Sequence, residues 1–154
     1  MERVLRSLRW LTIGGWLGSW ALFAFVIAPT AFRVLPSGDV AGALVGPVLR
    51  ALHLYGLAAG IALFAIAFAL RDRRWALAIP AVLAVLCAVT EFGITAAISD
   101  IRPSTFGPGT PEGAAERFSQ LHMLSRVLFG VVLAGVAGLT VLYATEAERP
   151  SEPV

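Results

Sequence analysis

Four apolar runs dominate this sequence, and each is long enough to cross a bilayer as a helix, which takes roughly 20 residues. Trp10 to Phe32 carries no charge, and Val40 to Leu70 is broken only by Arg50, with His53 just beyond it. Trp75 to Ser99 is broken only by Glu91, and Val127 to Thr145 is again uncharged. Backbone amides in hydrocarbon must be satisfied within their own segment, so helices are expected. No run alternates as a barrel strand does. The expectation is an all-α, four-helix transmembrane bundle over residues 1–145, with helices near 10–32, 40–70, 75–99 and 111–145.

Composition removes the competing classes. Only 14% of the 154 residues are charged and 58% are hydrophobic, whereas soluble domains run nearer ~25% charged. The mean hydropathy is +0.80. Too few charges remain to solvate a globular surface, which excludes a soluble enzyme and a disordered acidic chain. A nucleic-acid partner is excluded as well: the net charge is only +2, and the arginines flank apolar runs. The single cysteine, Cys87, has no internal disulfide partner and reads as packing.

Orientation follows from arginine, since the chain has no lysine. Arg3, Arg6 and Arg9 precede the first run, and Arg71, Arg73 and Arg74 fill the turn between the second and third. The positive-inside rule places both groups, and with four spans both termini, in the cytoplasm of a cell with this protein in its inner membrane. The first run is too long for a signal peptide and lacks a small-residue cleavage site, so it is expected to be retained. Residues 146–154 read as a short, acidic, disordered tail.

The connections carry turn chemistry. Pro36-Ser37-Gly38-Asp39 breaks the chain, with Asp39 as a candidate cap for the second helix. Thr110-Pro111-Glu112 reads as a cap, a proline at the first helical position and an acidic first turn, starting the last helix near Pro111. Small residues four apart mark candidate helix contacts: Gly14 with Gly18, Gly56 with Gly60, and Ala134 with Gly138. Trp16 and Trp20 form one face of the first helix, while Trp10 and Trp75 suit an inner aromatic belt.

The ionisable residues within the spans are not scattered. At 1.5 Å per residue from the cytoplasmic ends, Glu91 and His53 stand about 25 Å up, Arg50 and Arg126 about 30 Å, and Arg33 and His122 about 34 Å. All four helices therefore contribute to one layer toward the outer leaflet, and the cytoplasmic half has no comparable group. Helical phase aligns Cys87, Glu91, Thr95 and Ser99 on one stripe, and Phe118, His122 and Arg126 on another. The candidate binding residues are Glu91, His53, Arg50, His122 and Arg126. Either Arg50 or Arg126 is a candidate partner for Glu91.

Intramembrane charges are costly and usually functional, yet the layer supports three readings. It binds or passes a small solute or ion, with passage calling for a homo-oligomer because four helices enclose little volume. It ligates haem through His53 and His122, or a metal through these histidines and Glu91. Or it is a buried ion pair that only fixes packing in a structural subunit. No hydrolase elbow, Walker loop, HExxH or dinucleotide fingerprint is present. A non-enzymatic protein with no cofactor is the first reading.

Three stretches carry a resemblance. They are the glycine- and tryptophan-rich first helix ending Ala28-Pro29-Thr30-Ala31-Phe32, the helix containing Gly42, and Phe118-Ser119-Gln120-Leu121-His122-Met123-Leu124-Ser125. Together they resemble the transmembrane protein 205-like family of small multi-pass membrane proteins. The resemblance implies a four-helix fold and a membrane location, and brings no substrate or catalytic residue with it.

Overall fold

The computed structural model describes residues 1–101 and 109–147. It contains four helices long and apolar enough to cross a membrane. They are α1 (Glu2–Val34), α2 (Gly38–Ala69), α3 (Arg74–Asp100) and α4 (Ala114–Ala147). Consecutive helices pack side by side, and α4 closes the bundle against α1 and α3. Large apolar side chains such as Phe25 and Phe68 point outward. A surface of this kind suits lipid and not water.

The ends of the helices follow local chemistry, with some departures from expectation. α1 starts two turns before the apolar run, because Glu2 through Arg9 hold good helix formers and a Glu2–Arg6 pair one turn apart at 4.0 Å. Leu35 is extended, as a residue before proline prefers. The α2 cap is Ser37 and not Asp39: the Ser37 hydroxyl accepts from the Val40 amide at 3.3 Å. Asp39 lies instead in the first turn, where a carboxylate meets the positive helix end.

α2 ends in a Schellman turn. The Asp72 amide donates to the Ala67 carbonyl and the Arg71 amide to the Phe68 carbonyl, with Arg71 left-handed at φ 55°. α4 begins at Ala114, three residues later than Thr110-Pro111-Glu112 suggests. Gly113 has φ 79°, which no right-handed helix can incorporate, so the preceding residues form only a turn. At its other end α4 continues through Glu146, assigned above to the tail, and Glu146 pairs with Arg73 at 3.3 Å. The remainder of the expected tail, 148–154, lies outside the described residues.

The core sits between Trp16 and Trp20 of α1, Leu63 of α2, Cys87 of α3, and Val136 and Leu139 of α4, all buried. The α2–α3 seam is the closest. A β-carbon at Gly60 would stand 2.8 Å from the Pro80 carbonyl, and one at Gly56 would stand 2.8 Å from the Cys87 Sγ. The Gly56–Gly60 pair is therefore a helix contact, as its spacing suggests. Gly14, Gly18 and Gly138 meet nothing within 4 Å. Those two spacings do not mark contacts within this chain; α4 instead uses Gly135, held against Leu83.

Proline shapes two helices. Pro80 has no amide proton, so the Ala76 carbonyl one turn earlier loses its helical donor. The Tyr143 hydroxyl of α4 donates to that carbonyl at 3.5 Å. In α1, Pro29 would clash with the carbonyl of Phe25, and the helix widens there into a π-helical turn over Phe23–Ile27. α3 has a second π-helical turn over Thr90–Thr95. There Thr90 turns its hydroxyl back on the Leu86 carbonyl, a contact that bends helices.

Candidate functional site

The widened turn in α3 carries Glu91, which is 7% exposed. Its Oε2 accepts from the Nδ1 of His53 at 3.3 Å, and its Oε1 faces the Nε of Arg50 at 3.4 Å. Arg50 and His53 lie three apart on α2, so one face of that helix presents both to the carboxylate. The pair differs in setting: His53 is 1% exposed, whereas the Arg50 side chain is 68% exposed at the bundle's edge. Trp20 meets the His53 ring edge-on with centroids 5.7 Å apart. The buried Nε2 of His53 has no hydrogen-bond partner among the described residues.

Arg126 and His122 do not reach Glu91. Both lie on the wall of a separate cavity of about 840 Å³, which all four helices line. Its volume is within the range of small-molecule sites. α1 contributes Phe23, Pro29 and Phe32, α2 the stretch from Gly38 to Leu49, α3 Thr95 and Ile98, and α4 the face from Phe118 to Phe129. From Gly38 to Leu49 is eleven residues of helix, on the order of 16 Å of depth. Gly42 is on the wall, and a β-carbon there would meet only open space.

The expected single layer is thus two sites, one above the other. The cavity and the Glu91 group are joined through aromatic rings and one helical turn. Phe129 lines the cavity and stacks on Trp20 at 4.3 Å, and Trp20 touches His53. Thr95 closes the same π-helical turn that Glu91 occupies, lines the cavity, and has a buried hydroxyl without a partner among the described residues. Both π-helical turns reach the cavity, through Phe23 on α1 and Thr95 on α3. Such turns often mark functional positions.

Other expectations fare differently. The stripe from Cys87 to Ser99 holds only in part: Cys87 and Glu91 are buried, but Ser99 is exposed. The π-helical turn between them changes the phase that a strict four-residue repeat assumes. His53 is absent from the cavity wall on which His122 stands, with its ring stacked on Phe118. The two histidines therefore do not face one space, and haem ligation by both loses its geometry. Among the described residues no three His, Cys, Asp or Glu side chains converge as a metal set would. Arg33 lies exposed and is absent from the cavity wall.

The opposite end of the bundle does have a comparable group, contrary to the sequence reading. Arg9 hydrogen-bonds Asp72, and its guanidinium lies 4.3 Å from the centroid of the Tyr143 ring. Tyr143 also packs on Trp75 with centroids 5.0 Å apart. This clasp joins α1, the α2–α3 turn and α4. Its one sequence signal is Asp72, the lone acid among the three arginines of its turn.

The cavity and the Glu91 group draw on α1 to α3 and add one face of α4. No curated protein and no solved structure matches the chain. Residues 11–104, which take in most of α1 and all of α2 and α3, match the family described as a domain of unknown function (DUF4149), and the chain belongs to that family.

Proposed function

We propose that this protein binds a small solute in the cavity at the Asp39 end of the bundle, with Arg126 and His122 as the polar wall. The cavity itself carries the reading: it is large, walled by all four helices, and open where Gly42 would otherwise be filled. Glu91, His53 and Arg50 stand behind its floor and hold α2 and α3 in register there. Binding is favoured over passage because Ile13, Trp16, Trp20, Leu63 and Leu139 fill the Asp72 half of the bundle. In a single copy the cavity ends blind, so passage would need a homo-oligomer.

Within the same reading, the arginine bias at the Asp72 end supports cytoplasmic termini, and the four apolar spans suit the inner membrane. The cavity then opens at the outer leaflet. The likeness of Ala28–Phe32 and Phe118–Ser125 to the transmembrane protein 205-like family supports a small multi-pass protein of that kind. A purely structural subunit is the second reading, favoured by the close Glu91–His53 and Glu91–Arg50 contacts.

Native mass spectrometry of the natural chain and Gly42→Leu, released from the same membranes, separates the two. Solute binding predicts a small-molecule adduct on the natural chain that is several-fold reduced in Gly42→Leu. Equal adducts on both, or none on either, contradict it.

A further inference from the structure

The cavity combines a long apolar wall with an exposed cation, Arg126, that no carboxylate among the described residues pairs with. Arg126 makes no ion pair among the described residues, and a guanidinium is charged at any accessible pH. One carboxylate, Asp39, shares the wall, but it lies in the first turn of α2, by residue count about 16 Å above the Arg126 level, where the helix end already favours it. Beside Arg126 the same face of α4 presents His122 and the buried Ser125, and α3 presents the unpartnered Thr95 hydroxyl. The remaining surface is carbon, chiefly Phe23, Phe32, Leu49, Ile98 and Phe129.

Depth orders these groups. Twenty residues up from Trp75, about the ~30 Å of a hydrocarbon core, lies Thr95. The same distance up α4 from Tyr143 lies Met123, between His122 and Arg126. The polar wall is therefore at the hydrocarbon boundary; by the same count Leu49 stands level with it, and Phe23 and Phe129 lie below it. A ligand that matches this order has an anionic head at the boundary and an apolar chain beneath.

Resting on the solute-binding reading above, we propose that the occupant is a single-chain fatty carboxylate. Its carboxylate accepts from the Arg126 guanidinium and from Thr95 or Ser125, beside Leu49, and its alkyl chain runs down against Phe23 and Phe129. The volume suits one chain, and two-point recognition by charge and by apolar depth distinguishes this ligand from a short organic anion and from a neutral lipid.

The test is equilibrium binding of labelled hexadecanoate, hexadecanol and acetate to the full chain in detergent micelles, corrected for partition into protein-free micelles. The natural chain, Arg126→Gln and Gly42→Leu are compared, each first shown to keep its helical circular dichroism. Hexadecanoate should bind the natural chain saturably at one per chain, with hexadecanol about tenfold or more weaker and acetate not bound, as loss of a charge-assisted hydrogen bond implies. Arg126→Gln should bring hexadecanoate down to the hexadecanol level, and Gly42→Leu should abolish both. Equal binding of hexadecanoate and hexadecanol, or an unchanged preference in Arg126→Gln, overturns the fatty carboxylate while leaving the cavity as a site if Gly42→Leu still blocks. Binding unaffected by Gly42→Leu, or no saturable binding at all, overturns the cavity reading itself.

Discussion

Glu91 shows how one residue can be costly and retained. A carboxylate in the hydrocarbon region needs partners, and His53 and Arg50 supply them from adjacent positions on one helix face. The two partners are unequal. His53 is enclosed, so removing Glu91 strands a buried polar ring, whereas Arg50 reaches in from the exposed edge. Glu91→Leu should lower stability by about 3 kcal/mol, within the range for breaking a buried pair. Arg50→Gln should cost less than about 1 kcal/mol, as exposed pairs do. Unfolding midpoints in mixed micelles measure both. A second residue-scale prediction concerns Arg71, which occupies the left-handed position of the Schellman turn that glycine fills most easily. Arg71→Gly should raise stability by about 1 kcal/mol, the usual left-handed cost for a residue with a β-carbon; an unchanged midpoint would mean that the turn bears no such strain.

At the scale of the helices, the departures from regular geometry decide where side chains go. The carbonyl freed by Pro80 and the Tyr143 hydroxyl satisfy each other across α3 and α4. Tyr143→Phe should therefore cost about 1 kcal/mol in the natural chain. It should cost less in a Pro80→Ala background, where Ala76 regains its helical donor. Equal costs in the two backgrounds would deny the coupling. Glycine contacts give a sharper contrast. Gly60→Ala forces a methyl against the Pro80 carbonyl and should cost about 1–3 kcal/mol. Gly14→Ala and Gly18→Ala meet open space and should leave the midpoint unchanged or slightly raised.

These elements also explain what could be read from the sequence. The spans were legible because apolar length alone determines them, and Gly56–Gly60 because spacing puts both on one face. Two small-residue pairs with the same spacing, Gly14–Gly18 and Ala134–Gly138, face outward, since spacing states which residues share a face but not what lies opposite. The π-helical turns were invisible, because each depends on a proline clash or a hydroxyl contact whose outcome is settled by packing. They shift the phase beyond Glu91, and that shift is why a four-residue repeat fails at Ser99. The polar layer was legible as a height, yet height could not reveal that α2 supplies the Glu91 partners while α4 turns Arg126 and His122 toward a cavity.

For the whole molecule, the two ends of the bundle differ in construction. At the Asp72 end, Arg9, Asp72, Tyr143 and Trp75 clasp three elements together above a filled core. At the Asp39 end the helices diverge around the cavity, with Arg126 on its wall. The orientation proposed from the arginine bias sets the filled end at the cytoplasm. A membrane-impermeant thiol reagent should therefore label Ser7→Cys only after cells are broken; labelling in intact cells would reverse the orientation.

The central claim is that a solvent-reachable cavity with a cationic wall lies at the Asp39 end. Its most direct test is thiol labelling at Gly42→Cys, in a chain whose natural Cys87 is fully buried. The account predicts that a sulfonate-bearing methanethiosulfonate modifies Gly42→Cys faster than its trimethylammonium counterpart, that Arg126→Gln removes this preference, and that Gly14→Cys on the outward face of α1 stays unmodified. A Gly42→Cys as inert as Gly14→Cys, or one modified equally by both reagents, would contradict it.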